Sequence, residues 1–151
     1  MGRNRNRWRG LIALGMLALL GLQVTAASAD PTSVPFKEDA TGVSFTPTGP
    51  NSGVETDAGQ ATHFGTVFVT FDVTFDSSTT FHGTATDLTA NGDLVYESRT
   101  GMFTSPTTVV QYITYTGGTG RFQDLTGSAI MHASISPAGV LTQEVTGTIS
   151  Y

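Results

Sequence analysis

Glu97 and Arg99 are two residues apart in a stretch, DLVYESRTGMF, that is typical of a β-strand. Side chains at this spacing point to the same face of a strand, so the two charges would lie side by side. Inside a barrel they would hold a polar group of a ligand, whereas on its surface they would form an ion pair that adds little stability. Because an unpaired charge is costly to bury, we expect the surface position.

Other side chains in the same region offer hydroxyl and imidazole groups. Tyr96, Tyr112 and Tyr115 could supply hydroxyls to a cavity, although aromatic residues in strands more often serve packing. His63 lies at the start of a predicted strand, and its imidazole would also line the cavity if the ring points inwards. The candidate ligand-binding residues are therefore Tyr96, Glu97, Arg99, Tyr112 and His63.

Metal and hydrolase chemistry find little support in the sequence. His63, His82 and His132 lie on three predicted strands, and with a water molecule they could complete a tetrahedral zinc site. No two of them have the i,i+2 spacing that would place both on one face of a strand, so we predict no metal and no cofactor. A serine hydrolase would need its nucleophile in a G-x-S-x-G turn, which the chain lacks. We identify no catalytic residue.

These side chains must be positioned by β-strands, because apolar and polar residues alternate along most of the chain and no stretch has the 3.6-residue period of a helix. In FGTVFVTFDVTF, one face carries Val67, Val69, Phe71, Val73 and Phe75. Near the end of the chain, one face carries Leu141, Val145, Ile149 and Tyr151. Strand-like segments recur about every dozen residues, a spacing typical of an all-β sandwich or barrel.

Turn-forming residues separate these strands. Asn91-Gly92 predicts a two-residue type I′ hairpin turn, because both residues tolerate the positive φ that this turn needs. The polar stretch PTGPNSGVETDAG, residues 47–59, predicts the longest and most mobile loop. Consecutive hairpins predict an antiparallel meander, and closure of the meander into a barrel would remove its unpaired edges.

The glycine-rich segment TGGTGRFQDLTG, residues 116–127, is predicted to be a turn. A phosphate-binding loop would need a lysine and a following helix, and the sequence predicts neither here. Gly117, Gly118 and Gly120 would supply positive φ angles or a bulge where one strand turns into the next. Phe122 would then point into the core, and Gly127 would allow a close approach of the backbone.

The first 29 residues are predicted to be a signal peptide, followed by one β-barrel domain over residues 30–151. Arginines without any acid in MGRNRNRWRG precede an apolar run over residues 11–24, and Ala27-Ser28-Ala29 has the small-residue pattern of a cleavage site. The run is shorter than the roughly 20 residues that span a bilayer, which disfavours an uncleaved anchor. We therefore expect a secreted or periplasmic protein that is cleaved near Ala29.

After cleavage the protein would be strongly acidic. Four of the seven basic residues precede residue 30, so three remain against all twelve acids and the net charge is −9. Such a chain repels phosphate groups, so we expect neither nucleic acid nor a membrane as a partner. The chain has no cysteine and hence no disulfide framework, so its stability must come from packing and strand pairing.

Residues 117–122 (GGTGRF), with Gly127, resemble the G-G-T-G-[KR]-F-x-x-A-x-G signature of the bacterial allene oxide cyclase barrel-like domain family, which is related to plant allene oxide cyclases and dirigent proteins. Leu125 stands where that family usually has alanine. THFG at 62–65, TANGD at 89–93 and GTISY at 147–151 also agree with the bacterial group. The resemblance implies an eight-stranded antiparallel β-barrel with an apolar cavity, and assembly into dimers or trimers. In that family the signature is a turn of the fold and not a catalytic centre.

From this resemblance we expect the protein to bind a small hydrophobic molecule in the barrel without catalysis, or a partner on its surface. One alternative is an isomerase or cyclase that acts on a reactive hydrophobic substrate, which needs an ionisable side chain inside the cavity. The other is a structural or surface-interaction module with a packed barrel. A cavity volume distinguishes the packed barrel from the other two, and a buried ionisable residue in that cavity distinguishes the enzyme from the binding protein.

Overall fold

Residues 32–151 are described by the structure, a computed structural model of the chain. The predicted signal peptide, residues 1–29, lies outside the described residues. Within the described part, no helix is both long enough and apolar enough to cross a membrane. Residues 32–151 form eight strands and one turn of 3-10 helix, which lies between β6 and β7. They are β1 (Val34–Gly49), β2 (Ser52–Ala61), β3 (Gly65–Phe75), β4 (Thr80–Leu88), β5 (Leu94–Ser105), β6 (Thr108–Gly118), the 3-10 turn (Gly120–Phe122), β7 (Thr126–Ile135) and β8 (Leu141–Ser150).

Each strand pairs with the next strand along the chain, and β8 pairs with β1, so that the sheet closes on itself. All of these pairings are antiparallel. The predicted all-β class and the eight-stranded antiparallel barrel are therefore confirmed. The pairing of β1 with β8 stops at Thr41 and Thr142, so the second half of β1 is bonded to β2 alone.

Side chains alternate between the barrel interior and solvent along each strand. On β3, Val67, Val69 and Phe71 are buried in the interior as predicted, while Phe68 faces outwards. Burial of such apolar side chains contributes about 25 cal/mol per Å² and is the main force that stabilises the barrel. The outer face is dominated by threonine, and no threonine within a described strand is buried.

Aromatic side chains close one end of the barrel, where the connections from β2 to β3 and from β6 to β7 lie. The ring centroid of Phe64 is 4.9 Å from that of Phe36 and 4.8 Å from that of Phe122, and all three rings are buried. Arg121 contacts this closed end from the solvent side. Its Nη2 donates a hydrogen bond of 2.6 Å to the carbonyl oxygen of His63, and its guanidinium lies 4.5 Å from the Phe122 ring centroid.

The opposite end is the mouth of the barrel, where the turns between β1 and β2, β3 and β4, β5 and β6, and β7 and β8 lie. The prediction of a long mobile loop at residues 47–59 is wrong, because β1 continues to Gly49 and β2 begins at Ser52. Pairing explains the difference, since β2 is bonded to β1 on one side and to β3 along its whole length on the other. These hydrogen bonds order a segment whose composition is typical of a loop.

A β-bulge at Val43 changes which side chains of β1 point inwards. Before the bulge, Phe36, Glu38 and Ala40 are buried in the interior. The extra residue reverses the alternation, so Phe45 faces the interior after it and reaches the mouth of the barrel.

The Asn91-Gly92 turn has a different form from the predicted one. Five residues, 89–93, connect β4 to β5 instead of two. Gly92 has a φ of 89°, but Asn91 does not have the positive φ that a type I′ turn requires. The hydroxyl of Thr89 donates a hydrogen bond of 2.8 Å to the carbonyl oxygen of Asp93, which stabilises the wider loop.

Candidate functional site

A cavity of about 280 Å³ lies in the mouth of the barrel. Most of its wall is apolar, and two polar side chains, Glu55 of β2 and Gln111 of β6, also line it. The volume is at the small end of the range for ligand pockets, so it suits one small molecule. Five phenylalanine rings form much of the wall: Phe45, Phe71, Phe75, Phe81 and Phe103.

A cluster of polar side chains occupies the interior of the barrel. Its members come from β1, β2, β4, β5, β6 and β8, and all of them lie on the inward face of their strands. Five are carboxyl groups and only one is a cation, so most of the acids have no basic partner. The members are Glu38, Glu55, Asp57, Asp87, Glu97, Arg99, Gln111 and Gln143, of which only Glu55 is partly exposed.

Arg99 is the charged centre of this cluster. Its Nε donates a hydrogen bond of 2.6 Å to Oε2 of Glu97, and its Nη2 lies 4.0 Å from Oδ1 of Asp87. Its guanidinium lies 5.4 Å from the centroid of the Phe71 ring. Burial lowers the pKa of Arg99, but the negative charges of Glu97 and Asp87 outweigh burial and raise this pKa above its usual range. Arg99 therefore stays charged, with Glu97 as its nearest carboxylate.

The other deeply buried acids hold their protons more tightly than usual. Burial, reinforced by the charge of Glu97, raises the pKa of Glu38 to about 7. Burial also raises the pKa of Asp87 well above its ordinary value, and the nearby Glu97 and Glu38 add to this effect. Keeping these acids neutral avoids the large cost of burying several like charges together.

Glu55 and Asp57 sit at i,i+2 on β2 and so share its inward face. Burial, followed by the charge of Asp57, raises the pKa of Glu55 to about 7, and burial also raises the pKa of Asp57. Gln143 Nε2 donates a hydrogen bond of 3.4 Å to Oε1 of Glu55. Because Glu55 lines the apolar cavity and its pKa is near neutrality, it can take up or release a proton there at physiological pH.

Several buried polar atoms of residues 32–151 make no hydrogen bond within the protein. Buried polar groups are hydrogen-bonded in the great majority of cases, so these atoms mark an interior that can accept polar partners. They are both carboxyl oxygens of Asp57 and of Asp87, Glu97 Oε1, Arg99 Nη1, Gln111 Oε1 and the hydroxyl of Tyr115.

The interpretation of Glu97 and Arg99 as a surface ion pair is wrong. Their relative exposures are 2% and 1%, and both face the barrel interior. The argument from the cost of burial assumed an unpaired charge, whereas the two residues form a short hydrogen bond and Asp87 lies beside them. The pair recovers part of the desolvation cost, since Glu97 Oε1 and Arg99 Nη1 make no hydrogen bond within the protein.

Tyr96, Tyr112 and His63 do not line the barrel interior. Tyr96 and Tyr112 are 39% and 53% exposed on the outer face, and His63 is exposed at the closed end. The prediction that these three contact a ligand inside the barrel is wrong, because the strand alternation that turns Glu97 inwards turns Tyr96 outwards. Tyr115 is the tyrosine whose side chain is buried in the interior.

The three histidines face solvent at separate places on the barrel. His82 Nδ1 lies 2.9 Å from a carboxylate oxygen of Asp76, and His63 Nδ1 lies 3.2 Å from the hydroxyl of Tyr151. His132 is exposed on β7. In residues 32–151, no group of three His, Cys, Asp or Glu side chains has the arrangement of a metal site.

The glycine-rich segment forms the connection between β6 and β7, at the closed end and away from the cavity. Gly120 has a φ of 55°, a conformation that favours glycine, and a Cβ at this position would collide with the carboxylate of Asp93. Phe122 is fully buried. The signature residues Gly117, Gly118, Gly120, Phe122 and Gly127 all lie in this connection or at the strand ends beside it.

Most of the cluster was not anticipated from the sequence. Each missed side chain alternates in step with its apolar inward neighbours and out of step with the threonines of its strand, except on β1, where the bulge at Val43 places Thr46 and Thr48 in step with Glu38. The positions of the threonines along a strand would therefore have indicated which charged residues face inwards. The missed residues are Glu38, Glu55, Asp57, Asp87, Gln111 and Gln143.

Comparison of the chain with protein-family models, with curated proteins and with solved structures finds no significant match. The resemblance to the allene oxide cyclase and dirigent barrels therefore stays a prediction from a short signature.

Proposed function

We propose that the protein is exported and binds a small apolar molecule in the mouth of its barrel. The observation that supports this proposal is the cavity of about 280 Å³ with its wall of aromatic and aliphatic side chains. Eight-stranded barrels can hold one small ligand, and apolar cavities with a few polar groups are typical of ligand sites. The cavity disfavours the alternative of a fully packed structural barrel.

Filling the cavity should abolish binding. Ala133 is buried on the cavity wall, so Ala133→Phe would place a ring in the space that the ligand needs. We expect uptake of small terpenoids and alkyl alcohols, measured by native mass spectrometry, to weaken by about tenfold or more, which corresponds to about 1.4 kcal/mol. Ala90→Phe, the same substitution at an exposed residue of the closed end, is the control and should bind as the parent does. Equal uptake by Ala133→Phe and the parent would contradict binding in the mouth.

A second candidate function, an isomerase or cyclase for a reactive hydrophobic substrate, is supported by Glu55. This carboxyl lines an apolar cavity and burial raises its pKa to about 7, which is the range suited to general acid–base catalysis. Protonated Glu55 would donate its proton to the oxygen of a small apolar epoxide as one C–O bond breaks, and the resulting carboxylate would take a proton from the neighbouring carbon, which gives the isomeric allylic alcohol and regenerates the acid.

The enzyme proposal predicts turnover that depends on Glu55. With a panel of small apolar epoxides, we expect consumption by the parent to fall as the pH rises through about 7, where Glu55 loses its proton. Glu55→Gln should lower the rate by about 100-fold or more, the usual contribution of a general acid, while the alcohol probes still bind. Chiral gas chromatography of the products measures both rates. A parent rate no faster than that in buffer alone would exclude these substrates and leave the binding function.

A further inference from the structure

The polar groups in and beside the cavity include hydrogen-bond acceptors that have no donor within the protein. Gln111 is 3% exposed, lines the cavity, and has an Oε1 that makes no hydrogen bond within the protein. Both carboxyl oxygens of Asp57, the next inward residue of β2 after Glu55, are likewise unpaired. Because buried acceptors are normally satisfied, this arrangement fits a ligand that donates hydrogen bonds.

Apart from the amide nitrogen of Gln111 itself, the side-chain donors beside Glu55 are engaged elsewhere. Gln143 Nε2 already donates to Oε1 of Glu55, and Arg99 Nε already donates to Glu97. The guanidinium of Arg99 packs against the ring of Phe71 and does not form part of the cavity wall. A molecule in the mouth of the barrel therefore meets acceptors before it meets a cation.

The charges of the interior also favour a cation. Among the described residues, Lys37 and Arg121 are exposed, which leaves Arg99 as the basic residue of the interior. Its close partner is Glu97, so Glu55 and the neighbouring Asp57 have no basic side chain in contact. Nearby carboxylates attract an ammonium group and repel a second carboxylate.

We propose that the barrel selects a small amphipathic primary amine, with its ammonium group on Glu55 and Gln111 and its apolar chain against the phenylalanine rings of the mouth. The inference rests on the proposed binding function and names the class of its ligand. An ammonium group has three donors and no acceptor, which matches the carboxylate of Glu55 and the amide oxygen of Gln111, the two polar side chains of the cavity wall. A neutral alcohol of the same length fills the same cavity with one donor and no charge.

Three probes that share an eight-carbon chain test the selection: octylamine, 1-octanol and octanoate. At pH 8, Glu55, whose pKa burial raises to about 7, is mostly ionised, and an alkylammonium keeps its proton because its pKa is about 10. We expect isothermal titration calorimetry of the exported protein to give octylamine an affinity about tenfold above that of 1-octanol, as for one charge-assisted hydrogen bond. Octanoate should bind most weakly of the three.

Variants identify the groups that make the selection. Glu55→Gln should lower the affinity for octylamine by about tenfold and leave the affinity for 1-octanol nearly unchanged, since only the charge is lost. Gln111→Leu removes the uncharged acceptor, so it should also lower the affinity for octylamine more than the affinity for 1-octanol. It tests the selection independently of Glu55. Glu144→Gln, the same exchange on the outer face of β8, is the matched control and should alter neither affinity.

The outcomes separate this inference from the proposed function. If 1-octanol or octanoate binds as tightly as octylamine, or if Glu55→Gln leaves the amine affinity intact, the amine proposal is overturned while binding in the mouth stands. If none of the three probes binds, both the amine selection and the binding function proposed above are overturned.

Discussion

Replacing Arg99 with methionine is expected to lower the free energy of unfolding by about 3–5 kcal/mol at pH 8, the usual cost of removing one partner from a buried ion pair. Arg99 is almost fully buried and donates a 2.6 Å hydrogen bond to Glu97, and Asp87 lies on its other side. Methionine keeps the unbranched apolar part of the side chain and removes the guanidinium, so the loss comes mainly from the charge. Without the guanidinium, the buried carboxylate of Glu97 loses both its hydrogen-bond donor and its counter-charge.

Urea unfolding of the parent and the variant measures this effect directly. Lys37→Met removes an exposed cation of β1 and should change stability by less than about 0.5 kcal/mol, which makes it the matched control. The double variant Arg99→Met, Glu97→Gln should recover part of the loss, since it removes the charge that Arg99 left behind. A loss below about 1 kcal/mol for Arg99→Met would mean that the pair is no more stabilising than one on the surface.

The fold could be predicted because the alternation of side chains is strong and local. Apolar residues at Val67, Val69 and Phe71 define a buried face whatever the strand order. Turn residues then fix where the chain reverses, and antiparallel neighbours follow. Residues 47–59 were not predicted to form strands, because the inward face of this segment carries Gly53, Glu55 and Asp57 in place of apolar residues. The sequence pattern of a strand was absent, and only pairing with β1 and β3 orders it.

The candidate site was harder to predict than the fold, because strand alternation alone does not say which face is the interior. On β5, one face carries Glu97 and Arg99 and the other carries Tyr96, so a general rule against burying charge assigned both faces the wrong way round. The cost of burial depends on partners from distant strands, such as Glu38 of β1 and Asp87 of β4. Those contacts exist only once the sheet has closed.

Threonine would have resolved the ambiguity. Ser98, Thr100 and Thr104 share one face of β5 and are all exposed, which places Glu97 and Arg99 inside. A β-branched polar side chain suits the solvent side of a sheet, because it packs on the pleated surface and keeps its hydroxyl in water. In a barrel with a polar interior, the composition of the outer face is therefore more regular than that of the inner face. It indicates the orientation of each strand more reliably.

The buried acids lead to the second large effect, a stability that falls as the pH rises. In the folded protein the pKa of Glu38 is raised to about 7 from its ordinary value of 4.5, mainly by burial. Between these two values the folded state holds a proton that the unfolded state has released. Stability from this group is therefore complete below about pH 4.5 and is lost as the pH rises through 7. Most proteins behave in the opposite way over this range, because their carboxylates are stabilised in the charged form.

We expect the free energy of unfolding to fall by about 3 kcal/mol or more between pH 5 and pH 8, since each unit of pKa shift corresponds to about 1.4 kcal/mol and Glu55, Asp57 and Asp87 shift in the same direction as Glu38. Glu38→Gln cannot ionise, so it should match the parent near pH 5 and exceed it in stability at pH 8. Urea unfolding across this pH range measures both profiles, with Glu144→Gln on the outer face as the control that keeps the parent slope. A parent profile that is flat or rises towards pH 8 would show that water or counter-ions solvate the cluster, because buried acids without solvation must lose stability as they ionise.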